Sequence, residues 1–233
     1  MNVNQLSKRL QLVADYLPEG ANFADIGSDH AYLPCYVCIK DKEAKAIAGE
    51  VNRGPLDSAK REVASHNLED RIQTRLGSGL SVLTEGEVQQ ITIAGMGGPL
   101  IRDILDEGRD KLSSVNRIIV QPNIDARSIR KWFVEYGYEL IAEEILEENG
   151  HIYEVLVAQP GDPLKPYSQN QEKELWFGPY LLRESSSVFQ KKWQEELETK
   201  KYILGELEKA QKVNQAKVDQ LHKEIEWLKE VVL

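Results

Sequence analysis

The chain has 233 residues, 41% of them hydrophobic, enough to bury the core of one large domain or of one domain with an appendage. No run approaches the roughly 20 apolar residues of a membrane helix. Met1 to Asn4 lead into a polar amphipathic stretch unlike a signal peptide, so a cytoplasmic location and no membrane partner are expected. A net charge of −9 excludes a protein that coats itself in nucleic acid, because affinity for a phosphate backbone comes from Lys and Arg. Any basic surface must be a local patch.

Leu6, Leu10, Val13 and Leu17 recur at spacings of four, three and four and predict an amphipathic helix over 4–17. Short apolar runs then alternate with helical stretches. Strands fall near 22–26, 44–49, 71–76, 89–94 and 116–121, with helices near 31–40, 54–67, 97–107 and 124–136. This rhythm predicts βαβ units and a parallel sheet. Cys35 and Cys38 are spaced C-x-x-C, but the scattered histidines supply no zinc partners. The pair is expected to be buried on one helix face, and no metal is expected.

Tyr138 to Leu146 and Ile152 to Gln159 read as two strands joined through Asn149-Gly150, a hairpin signal. Five alternating strands closed by an antiparallel hairpin predict an α/β fold, a Rossmann-like seven-stranded sheet of the class I methyltransferase type. Pro160, Gly161, Asp162, Pro163 and Pro166 predict a stiff linker that divides the chain into 1–160 and 161–233. The second part reads as an α-helical, coiled-coil-like extension. Val218, Leu221, Ile225, Leu228 and Val232 keep coiled-coil spacing, and Val188, Trp193, Leu197, Leu204 and Leu207 form a less regular stripe upstream. A turn near Lys212 to Asn214 folds the two helices into an antiparallel hairpin, too short to stand alone and therefore packed on the core or on a partner.

The segment from Phe23 to Pro34 is a strand, a glycine turn and a helix, where a doubly wound sheet binds its nucleotide. A dinucleotide site wants G-x-G-x-x-G so that backbone can approach a pyrophosphate. Here only Gly27 fits, and Asp29 stands where the second glycine belongs. An acidic side chain there repels a diphosphate but suits a sulfonium and an ammonium group, which favours S-adenosylmethionine over NAD. Asp25 at the strand end shapes the turn or holds the ligand's amino group. Glu50 closes the second strand 23 residues after Gly27, where a carboxylate can accept both ribose hydroxyls. Gly77-Ser78-Gly79 follows the third strand, where an adenine is to be sandwiched. The fourth strand ends in Ala94-Gly95-Met96-Gly97-Gly98, a turn that lets backbone pass close to something bound. The fifth delivers Gln121, Pro122 and Asn123 to the same edge, and the two amides can read the Watson–Crick edge of a base without adding charge.

The runs Asp25 to Pro34 (DIGSDHAYLP), Ile91 to Gly98 (ITIAGMGG) and Gln121-Pro122-Asn123, with Ser7 to Leu10 (SKRL) and Tyr153 to Leu156 (YEVL), resemble the bacterial tRNA adenine-N1-methyltransferase family TrmK along the whole chain. The resemblance implies a Rossmann-like domain with a C-terminal helical extension, S-adenosylmethionine as cofactor and methylation of N1 of adenine 22 in tRNA. It fits the absence of the N/D-P-P-Y/F/W tetrapeptide used on exocyclic amines. One departure stands out: the family's third motif commonly carries Asp where this chain has Ser78, which puts cofactor affinity in doubt rather than reaction type.

The expected cofactor set is therefore Arg9, Asp25, Gly27, Asp29, His30, Glu50, Val51, Ser78, Gly79, Ala94, Gly95, Met96 and Gly97. At the reaction centre, Gln121 and Asn123 are expected to orient the adenine, Tyr32 to enclose it by stacking, and Asp29 to offset charge. Lys8, Arg9, Arg127, Arg130 and Lys131, with the pairs Lys191-Lys192 and Lys200-Lys201, are the candidate tRNA contacts, and a monomer is the expected state. Rival readings are a methyltransferase with another substrate and a non-catalytic binding module on the same fold.

Overall fold

The computed structural model describes residues 2–208 and 214–232. A seven-stranded sheet runs in the order β3-β2-β1-β4-β5-β7-β6, formed by β1 (Asn22–Ile26), β2 (Lys45–Glu50), β3 (Ile72–Leu76), β4 (Gln90–Gly97), β5 (Arg117–Ile124), β6 (Tyr138–Glu148) and β7 (His151–Pro160). Strands β1 to β5 are parallel, and the β6–β7 hairpin joins antiparallel to β5. Its turn is tighter than expected, because pairing continues to Glu148 and His151. Asn149 and Gly150 both take positive φ, as a two-residue hairpin turn requires.

Helices α1 (Lys8–Asp15), α2 (Tyr32–Lys40) and α3 (Arg53–Ser65) cover one face of the sheet, and α4 (Gly98–Glu107) and α5 (Ala126–Glu135) the other. Alternate residues of a strand serve opposite faces: Phe23 packs with Val13, Leu33 and Val63, while Ala24 and Ile26 pack with Ile101, Leu105 and Ile129. The central strands are therefore apolar on both sides, as the near-continuous hydrophobic runs require. Cys35 and Cys38 are free and buried in the first of these layers, where burial pushes their thiols up to about 12 and about 11. Among the described residues no cluster of His, Cys, Asp and Glu is arranged to hold a metal, and no helix is long and apolar enough to cross a membrane.

After Pro160 come α6 (Gln171–Phe177), α7 (Pro179–Glu184), α8 (Ser187–Glu208) and α9 (Gln215–Val231). Helices α8 and α9 run antiparallel: Gln190 Nε2 donates to the Val231 carbonyl, and Lys200 meets Glu224 at 2.9 Å. The expected turn at Lys212 and Val213 lies outside the described residues, and Asn214 caps α9 through its side chain. The apolar stripe is shifted by one residue at each end. Phe189 rather than Val188 is buried beside Trp193 and Leu197, and Val231 is buried more deeply than Val232.

These helices dock on the sheet through charge as well as apolar contact. Arg130 on α5 is fully buried, donating to Glu143 at 2.6 Å, to Glu154 at 2.5 Å and to the Trp176 carbonyl at 3.2 Å. Tyr180 N donates to Glu143, and Lys192 on α8 pairs with Glu154. Burial opposes ionisation of Glu154, but Lys192 and Arg130 outweigh it and hold the carboxyl below the ordinary range.

Candidate active site

Strands β1 and β4 bring their C-terminal ends to one cleft of about 240 Å3, lined by residues that include Arg9, Asp25, Gly27, Asp29, Tyr32, Ala94, Gly95 and Met96. The loop after β1 is left-handed at Gly27 (φ 71°), Asp29 (φ 55°) and Ala31 (φ 56°). Such backbone in non-glycine residues costs about 1–3 kcal/mol each and persists only where surroundings enforce it. The enforcing contacts come from β2: Gly27 N and Ser28 N both donate to the Gly49 carbonyl, and Asp29 N donates to Glu50 Oε1. A Cβ on Gly27 would fall 2.1 Å from Met96 Cε, so the flexible end of that side chain would have to turn away.

Three carboxylates crowd this corner. Asp25, 4% exposed, accepts from Ser28 Oγ at 2.5 Å and Thr92 Oγ1 at 2.7 Å. Burial pushes its carboxyl up to about 6 against the pull of those two hydrogen bonds. Glu50, 5% exposed, is also raised by burial, opposed by the Asp29 N–H and reinforced by the charges of Asp29 and Asp25. Asp29 itself is exposed at the mouth, 3.7 Å from His30 Nε2, and the His30 ring stacks on Tyr32 at 5.2 Å. So acidic a corner fits a cationic ligand and repels a diphosphate.

Between β4 and β5 lies an amide network. Gln121 Oε1 accepts from Arg9 Nη1 at 2.7 Å and from Gly95 N at 3.2 Å, and its Nε2 donates to Asn123 Oδ1 at 3.2 Å. Asn123 Nδ2 in turn donates to the Gly95 carbonyl at 2.8 Å. The expectation that Gln121 reads a base is corrected by this arrangement: its side chain is fully buried and both ends of the amide are committed. Gln121 positions Asn123 and the Gly95 turn. Asn123 is exposed and keeps one N–H and one lone pair to offer.

A family model described as TrmK, tRNA (adenine(22)-N(1))-methyltransferase, matches residues 23–230. The chain belongs to this family. The tRNA (adenine(22)-N(1))-methyltransferase of Bacillus subtilis (strain 168) is 48% identical over 100% of this chain and 99% of that relative. The crystal structure of B. subtilis TrmK matches with a TM-score of 0.95, covering 99% of this chain and 100% of that one. A Streptococcus pneumoniae protein in complex with S-adenosyl-L-methionine, 42% identical, matches at 0.87 over 98% and 100% of the two chains. M. capricolum TrmK in complex with S-adenosyl-homocysteine, 26% identical, matches at 0.84 over 97% of each.

In this TrmK family member the remaining expected residues spread beyond the cleft. Val51 follows β2 and is 63% exposed; Leu76, which ends β3 and is not among the expected residues, is 47% exposed. Ser78 and Gly79 line a separate cleft of about 220 Å3 with Ile104 and Glu107. Gly97 caps α4, and a Cβ there lies 3.7 Å from Ile124. Ser28 and Thr92 are site residues that sequence reasoning missed. The only signal for Thr92 is register, since it stands opposite Asp25 in the β1–β4 pairing.

The candidate tRNA contacts divide. Arg130 is corrected from a surface cation to a buried structural one, because Glu143 and Glu154 enclose it. On α8, Lys191 pairs with Glu147, Lys192 with Glu154, Lys200 with Glu224 and Lys201 with Glu198. Each pairing reduces the field that helix offers to a phosphate. Lys8 sits at the start of α1 beside the cleft residue Arg9.

Proposed function

We propose that this TrmK family member methylates N1 of adenine 22 in tRNA at the C-terminal edge of its sheet, with the cofactor in the Asp25–Glu50 corner and the adenine against Asn123. The observation that carries the reading is the placement of three carboxylates and the Asn123–Gly95 pair around one edge. S-adenosylmethionine supplies an electrophilic methyl group when bound. Glu50 accepts the ribose hydroxyls, Asp25 and Asp29 offset the cofactor's positive charge, and Val51 and Leu76 flank its adenine. Ser78, with Gly79, takes the adenine's amine through a hydroxyl.

Adenine N1 carries a lone pair at neutral pH, so no side chain has to remove a proton before attack. What the chain supplies is alignment, and that effect is worth up to about 7–11 kcal/mol. Asn123 fixes the base edge, Tyr32 encloses the ring, and the Asp29 carboxylate faces the positive charge that the product base acquires. N1 is hidden in a base pair, so the target must be unpaired or extruded. Residues 1–160 form the catalytic part and 161–233 the helical extension, and the chain works as a cytoplasmic monomer.

Two variants separate the halves of the site. Glu50→Ala is expected to weaken cofactor binding in calorimetry by about tenfold or more. Asn123→Ala is expected to keep that affinity and lose turnover on a tRNA transcript. Unchanged cofactor affinity in the first, or full turnover in the second, overturns the corresponding role.

A further inference from the structure

A second cleft, of about 340 Å3, opens beside the reaction edge between the end of β5, β7 and α8, and its volume is within the range of small-ligand sites. Asn123 and Ile124 belong to its lining, so it continues directly from the place assigned to the target adenine. Ile124 is 69% exposed there, an apolar step between the two. Arg127 and Lys192 bring two cations, of which Lys192 is shared with Glu154. Three carboxylates also line it: Glu154 is paired with Arg130 and Lys192, Glu196 with Lys200 at 3.4 Å, and Asp125 caps α5 by accepting from Ser128 N.

Two donors in this lining lack partners. Trp193 is 4% exposed, and among the described residues neither its Nε1–H nor the buried Arg127 Nε–H has an acceptor. Buried N–H groups almost always find one, and leaving them bare costs the full desolvation penalty. Arg127 also pairs with Glu172, 3.6 Å from its Nη2. An acceptor-rich anion that reaches the cleft from Asn123 would satisfy both donors and the Arg127 charge. A nucleotide is such an anion.

We propose that this cleft binds the nucleotide adjoining the target adenine, with its phosphate against Arg127 and Lys192 and an acceptor atom on the Trp193 N–H. The inference rests on the reading that places the adenine at Asn123. It gives the extension a specific part in substrate binding, through Lys192 and Trp193, rather than a general electrostatic one.

The test uses the full chain, a tRNA transcript and S-adenosylmethionine, with tRNA affinity measured across a salt series. Arg127→Gln is expected to weaken tRNA binding by roughly tenfold at low salt. It is also expected to flatten the salt dependence by about one unit of slope, with cofactor affinity unchanged. Trp193→Phe keeps an aromatic ring but removes the N–H together with part of the buried indole, so some loss of thermal stability is expected along with a several-fold fall in tRNA affinity and an unchanged slope. Wild-type affinity and slope in Arg127→Gln overturn the proposal even if Trp193→Phe fails to fold. If the wild-type chain places no methyl on tRNA adenine, the underlying reading falls and takes the inference with it.

Discussion

Arg9 on α1 donates to the buried side chain of Gln121 at 2.7 Å, joining the N-terminal helix to the end of β5. The same Gln121 oxygen accepts from Gly95 N, so one amide sets the position of both the β4 turn and Asn123. Gln121→Ala removes that shared acceptor. Turnover on tRNA is expected to fall by about 100-fold, since a displacement of about 1 Å suffices for such a loss. The KM for tRNA is expected to move much less. Arg9→Ala should act through the same contact, so the double variant is expected to be no worse than Gln121→Ala. Additive losses in steady-state kinetics contradict the coupling.

The two ends of the reaction edge are packed backbone to backbone. A Cβ on Gly98 falls 2.0 Å from the Asp125 carbonyl oxygen, which cannot swing aside as a side chain can. Gly98→Ala is expected to cost about 1–3 kcal/mol in a denaturant titration and to displace the Asn123 segment, reducing turnover. Gly205, inside α8, is the contrasting case, with no atom of the described residues within 4 Å of its Cβ position. Gly205→Ala is expected to stabilise by about 1 kcal/mol and raise the melting temperature by about 2–4 °C. Equal behaviour of the two variants contradicts the packing argument.

Much of this architecture is legible in the sequence because strand periodicity and turn chemistry are local. The succession of strands up to β5, the Asn149-Gly150 turn and the corner formed by Asp25, Gly27 and Glu50 all follow from spacing. Burial of polar groups is not local. Gln121 reads as a base contact and Arg130 as a surface cation until Arg9, Glu143 and Glu154, from distant positions, are placed against them. Phe189 and Val188 are equivalent to any hydrophobicity pattern, and only docking on Trp193 separates them.

The Arg130 cluster predicts how the extension is held. Arg130→Leu leaves Glu143 buried without its guanidinium partner, and such losses cost about 3–5 kcal/mol. A large drop in melting temperature is expected, together with protease access between β7 and α8. A wild-type melt in this variant contradicts the role given to the cluster.

Asp25 predicts a pH dependence. Its carboxyl rises from the ordinary 3.8 to about 6 because it is buried. Between those values the folded chain keeps a proton that the unfolded chain has lost. The contribution of Asp25 to stability is therefore fullest below 3.8 and is lost as pH rises through 6. Cofactor binding has the opposite sign, because only ionised Asp25 offsets the cofactor's positive charge. Affinity measured by calorimetry is expected to weaken by about tenfold one pH unit below that value, with proton release on binding. Asp25→Asn is expected to flatten the curve, and an unchanged curve in that variant contradicts the assignment.

The most direct measurement is to incubate the wild-type chain with S-adenosylmethionine and two tRNA transcripts, one with adenine and one with guanine at nucleotide 22, and to map the methyl group by mass spectrometry. One methyl on N1 of adenine 22, and none on the guanine transcript, is the predicted result. A methyl at any other nucleotide, or on the exocyclic amine of adenine 22, contradicts the account.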